Sequence, residues 1–86
     1  MLNIQNIGGW CPVQAEGTVG GKPFYFRARG NQWSMAIGGD PIETPGWFRE
    51  DEYGASPDAG YMPLDEARAF IEICAADYLA GKPGKT

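Results

Sequence analysis

The sequence predicts an α+β fold: a three-stranded antiparallel β-meander covered on one face by a C-terminal α-helix. Three observations carry that prediction. A Gly30-Asn31 turn and a Gly20-Gly21 turn each sort their flanking residues, and both select the same apolar face. Between Pro63 and Gly81, apolar residues return at helical spacing. At 86 residues the chain has the length of one domain, 1–86, with a thin core in which each large apolar residue counts.

The opening segment, residues 1–10, holds Leu2, Ile4 and Ile7, which fit either an edge strand or a short covering segment, and the pattern does not choose. The meander follows over about residues 11–39. With Gly30-Asn31 at a hairpin tip, Arg29 faces Gln32, and the pairs continue as Ala28 with Trp33, Arg27 with Ser34, Phe26 with Met35, Tyr25 with Ala36 and Phe24 with Ile37. The Gly20-Gly21 turn sets Val13 opposite Ala28 and Ala15 opposite Phe26, with Gln14 opposite Arg27 and Glu16 opposite Tyr25 on the other face. Strands are therefore expected at roughly 13–19, 23–29 and 32–37.

GGDPIETPG then reads as a crossing loop within an acidic segment spanning about residues 40–62. Thr44 before Pro45 matches an N-cap followed by proline at the first helical position, so a short helix is expected over about 45–52, stopped by Gly54. The acids of that segment would crowd its last turn, against the helix dipole. After the loop GASPDAG, Pro63 opens a longer helix over about 63–81. Leu64, Ala67, Ile71, Cys74 and Tyr78 form its apolar stripe, widened by Phe70 and Ala75, while Asp65 and Glu66 sit where the dipole favours them. The tail, residues 82–86, is expected to be loose.

Composition narrows the function. The chain has no histidine, which removes Ser-His and Cys-His nucleophile pairs and the usual general base near neutral pH. Cys11 and Cys74 have no Cys-x-x-Cys spacing and read as two free thiols. The carboxylates lack an accompanying base and a metal-binding Asp-x-Asp loop, so no enzymatic activity, metal or cofactor is expected. GGKPF lacks the spacing of a phosphate loop and reads as a turn. No stretch has the roughly 18 apolar residues a membrane span needs, and MLNIQNIGGW lacks a basic leader, so a cytoplasmic location is expected.

The net charge of -4 is regional: residues 40–77 hold ten acids against Arg49 and Arg68, and FREDEYG packs three of them into four positions. A solvated face is the bland account of such a cluster; an anionic surface for a strongly basic partner is the functional one. On the second account the contact charges are Glu50, Asp51, Glu52, Asp65, Glu66, Glu72 and Asp77, with Trp47 and Ile73 as apolar anchors. Tyr25, Arg27 and Arg29 form a basic stripe on the outer face of the second strand. Glu16 opposite Tyr25 is expected to pair with an arginine there, and the acidic total opposes direct nucleic-acid binding.

A short, acidic chain without histidine, metal motif or catalytic signature, folding as a small sheet under one helix, resembles the accessory proteins of phages and other mobile elements. In size and charge it is similar to anti-CRISPR proteins acting on type I effector complexes, at the level of the class rather than of a motif. The resemblance implies a stoichiometric inhibitor in the host cytoplasm, a monomer or weak dimer. Its acidic surface would occupy a basic DNA-binding groove of an effector subunit. The alternative is a small acidic regulatory module, antitoxin-like or a phage accessory protein, that binds another basic protein.

Overall fold

In the computed structural model of the chain, which describes residues 1–40 and 44–84, period-two alternation decides almost everything. Strands β1 (Leu2–Gly8), β2 (Val13–Val19), β3 (Lys22–Arg29), β4 (Gln32–Asp40) and β5 (Thr44–Glu52) form one antiparallel sheet in chain order. A 3-10 helix (Asp58–Tyr61) and the helix α1 (Leu64–Leu79) follow. The fold is thus α+β, as expected, with five strands in place of three.

The expected register of the central strands is the observed one, pair for pair, from Val13 with Ala28 to Arg29 with Gln32. Gly20, Gly21 and Gly30 have φ of +57°, +81° and +64°, the left-handed backbone these tight turns demand and side chains resist. Val13, Ala15, Val19, Phe24, Phe26, Ala28, Trp33, Met35 and Ile37 alternate onto one face and are buried there.

The opening segment resolves as the edge strand β1, whose Leu2, Ile4 and Ile7 lean onto the core. A bulge between Ile4 and Asn6, opposite Gly17 and Glu16, keeps all three on the inner side.

The short helix expected near 45–52 is a strand instead. Its Trp47, Arg49 and Asp51 pair with Ile37, Met35 and Trp33, so the segment completes the core face rather than capping it. A Thr-Pro start is worth about 1 kcal/mol to a helix. Pairing along β4 satisfies a row of backbone groups and lets Trp47 bury its indole, worth roughly 3 kcal/mol. Of GGDPIETPG, expected as a crossing loop, Gly39 and Asp40 pair with Pro45 and Thr44 as strand residues, and residues 41–43 lie outside the described residues.

Helix α1 lies across the inner face, burying Ala67, Ile71, Cys74 and Ala75. Phe70 stacks on Trp33 with ring centroids 4.8 Å apart, and Tyr78 meets Trp47 edge-on at 6.1 Å. Leu64, expected in the stripe, stands at the first residue of the helix and is 44% exposed.

Of the tail expected to be loose, residues 85–86 lie outside the described residues, and residues 82–84 make defined contacts. The indole N–H of Trp47 donates to the Lys82 carbonyl at 2.9 Å, and Gly84 lies directly against the backbone of Phe48. Residues 82–84 thus cover part of the outer edge of β5, the kind of unpaired edge that sheets must protect.

The two cysteines sit in opposite surroundings. Cys11 is exposed, whereas burial pushes the Cys74 thiol up to about 11, with Arg49 pulling the other way. A thiol-specific disulfide reagent is therefore expected to titrate one cysteine in the native protein and both in denaturant. Equal rates for both under native conditions would contradict the burial of Cys74.

Candidate acidic interaction surface

Strand parity divides the acids of FREDEYG. Glu50 and Glu52 pair with Ser34 and Gln32 on the uncovered face, whereas Asp51 pairs with Trp33 on the side facing α1. Tyr53 continues the Asp51 row and packs edge-on against Phe70 at 6.1 Å. Its hydroxyl donates to Glu66 Oε1 at 2.6 Å, tying the end of β5 to the first turn of the helix.

A corner of negative charge forms around this tyrosine. Asp58 enters it from the 3-10 helix, where its Oδ2 accepts from the Ala55 amide at 3.1 Å and fixes the intervening loop. The Tyr53 hydroxyl is held above the ordinary tyrosine value, first by its hydrogen bond to Glu66, then by partial burial, then by the charges of Glu66, Asp58 and Asp65. Glu66→Gln is expected to lower it toward the ordinary value, measured as the ultraviolet titration difference against Tyr53→Phe. The raised value implies that the neutral phenol supports the fold through the usual tyrosine range, and that this support is lost as pH rises through the folded-state value. No change on Glu66→Gln would dissociate Tyr53 from the corner.

The nine residues expected to make contact do not share one face. Asp65 and Glu66 stand at the corner and Asp51 lies on the same, helix side of β5, while Glu50 and Glu52 lie on the opposite side of the sheet. Glu72 and Ile73 are exposed on the outer side of α1, Ile73 at 56%. Asp77 is taken inward: Arg49 Nη1 donates to its Oδ2 at 2.8 Å, and Lys82 Nζ approaches at 3.7 Å. The Arg49 hydrogen bond holds the Asp77 carboxyl below the ordinary carboxylate range, against partial burial, with Lys82 assisting. Trp47, expected as an exposed anchor, is 9% exposed, because strand parity turns it into the core beneath the Arg49 guanidinium, 4.9 Å from the ring centroid.

Sequence reasoning did not single out Tyr53, Asp58 or Arg49. Tyr53 carried a usable signal, an aromatic two residues beyond Asp51 on an alternating strand. The pairing expected between Glu16 and a basic-stripe arginine is absent: among the described residues, the ion pairs are those of Asp77 with Arg49 and Lys82. Among the same residues, no group of three or more histidine, cysteine or acidic side chains is placed to hold a metal ion, and no helix is long and apolar enough to cross a membrane.

The fold and this corner define a small α+β protein with one helical layer over a five-stranded meander. Compared with protein-family models, curated proteins and solved structures, the chain matches none.

Proposed function

We propose that the protein is a non-enzymatic binding protein whose acidic corner docks on a basic protein surface. The best-suited surface is a DNA-binding groove of the kind blocked by anti-CRISPR inhibitors of type I effector complexes. One observation supports this reading above the others. Asp58, Asp65 and Glu66 are brought together around Tyr53, with Asp51 two residues before it on the helix side of β5, and no Lys or Arg pairs with any of the four among the described residues.

Uncompensated carboxylates held in place cost little further ordering on binding, so they suit a partner lined with Lys and Arg. They speed encounter and contribute charge-assisted hydrogen bonds without any chemistry.

The test is a gel shift of target DNA by a purified type I effector complex, titrated with this protein at low and moderate salt. The DNA complex is expected to disappear near stoichiometric inhibitor, with inhibition easing as salt rises. Asp51→Lys with Asp65→Lys is expected to weaken inhibition by about tenfold or more while leaving the circular dichroism unchanged. Unaltered DNA binding at saturating protein would overturn the effector assignment. Undiminished inhibition by the charge-reversed variant would remove the corner from the interface.

A further inference from the structure

The sheet has a second face, and α1 does not cover it. It carries half-buried Tyr25, Arg27, Ser34, Phe48 and Glu50 around a buried Ala36, and three surface depressions lie along it. The first, about 420 Å³, is walled by Arg27 and Arg29 on one side and Glu50 on the other.

Cross-strand register arranges this face in rows. Arg27, Ser34 and Glu50 lie in one row, Arg29, Gln32 and Glu52 in the next, and Tyr25, Ala36 and Phe48 on the other side. Each row thus carries a cation or aromatic on β3, a small or neutral residue on β4, and an acid or aromatic on β5. Arg27 and Glu50 are two strand spacings apart, roughly 9.5 Å, and neither makes an ion pair among the described residues. The Arg27 Nε is buried with no hydrogen-bond partner, a cost that a protein surface usually avoids.

We infer that this face binds a second copy of the chain, with the two-fold axis running along β4. Rotation about that axis lays β3 of one copy over β5 of the other, row for row. Arg27 then meets Glu50 of the second copy, Arg29 meets Glu52, and Tyr25 meets Phe48, each contact occurring twice as an isologous interface requires. Along the axis, half-buried Ser34 faces its own counterpart and Ala36 is already buried, so no large side chain on β4 keeps the sheets from approaching to about 10 Å. A two-fold axis across the strands would stack arginine column on arginine column, so charge selects the first arrangement.

A nucleic-acid strand fits less well, because Glu16, Glu50 and Glu52 share the face with the two arginines. The acidic corner lies on the helix side and stays outside this contact, so the dimer is independent of the proposed inhibitory function.

With about three strands overlapping, the contact falls in the small-interface class, and association in the micromolar range or weaker is expected. Sedimentation equilibrium of the full chain, from about 10 μM to 1 mM, is expected to show the mass rising toward twice the monomer at low salt and falling back at high salt. Arg27→Glu with Arg29→Glu, and separately Glu50→Arg with Glu52→Arg, are each expected to remain monomeric throughout. Combining all four substitutions is expected to restore the dimer, because every intermolecular pair is then reversed together. A wild-type chain that stays monomeric at every concentration would overturn the inference, as would single-set variants that dimerise like wild type. A folded four-fold variant that stays monomeric would overturn it too, and so would a wild-type monomer that binds a single-stranded oligonucleotide through Arg27 and Arg29.

Discussion

Phe26→Ala is expected to cost about 3–5 kcal/mol, most of the total stability of a chain of this length, on the order of 5–10 kcal/mol. Phe26 is fully buried at the middle of β3, the central strand, where it pairs with Ala15 and Met35 on its two sides. Its ring stacks on Trp33 at 5.9 Å, and Trp33 in turn carries Phe70 of α1, so the benzyl group joins sheet to helix. A domain this thin has no second aromatic layer to close over the cavity. Urea unfolding followed by circular dichroism is the measurement. A midpoint shift worth less than about 1 kcal/mol would mean that the sheet and helix are not packed through this column.

The second large effect comes from adding one carbon. Gly17 lies on β2 where the β1 bulge crosses it, and a β-carbon there would overlap the Asn3 carbonyl and stand 2.8 Å from the Phe24 ring. Neither neighbour yields easily: one is backbone, and the other is a core aromatic that is 2% exposed. Gly17→Ala is therefore expected to cost about 3 kcal/mol or more, by detaching β1 or displacing Phe24. Gly8→Ala is the control, since a β-carbon at Gly8 meets nothing within 4 Å. Loss of glycine's chain entropy alone would leave the midpoint unchanged or slightly raised, as expected for Gly8→Ala; the same response from Gly17→Ala would overturn the clash at the crossing.

Much of the sheet can be read directly from the chain. Two glycine turns fix the register of β2, β3 and β4 because a one-residue slip would send Phe24, Phe26, Trp33 and Met35 into water. The helix is equally legible from Ala67, Ile71 and Cys74, whose spacing forms one stripe in any environment. The exposure of Ile73 follows from the same wheel.

The acidic site was legible only in composition. Where each carboxylate points depends on whether residues 44–52 are helix or strand, and local signals there favoured the wrong state. Thr44-Pro45 is a genuine helix start, outweighed by the unpaired edge of β4 and the burial of Trp47. Once the segment is a strand, neighbouring acids must alternate, so Glu50 and Glu52 separate from Asp51. The capture of Asp77 by Arg49 joins residues 28 positions apart and leaves no trace in local pattern.

The sequence by itself determined the meander, its register, the helix stripe and the excess of acid, because alternation and helical period are properties of neighbouring residues. Only the tertiary structure decided that β5 joins the sheet, that Tyr53 gathers Asp58, Asp65 and Glu66, and that arginines and glutamates face one another across β4 on the open face. Those outcomes turn on contacts between segments distant in the chain, where pairing an exposed edge and burying an indole outweigh a local preference of about 1 kcal/mol.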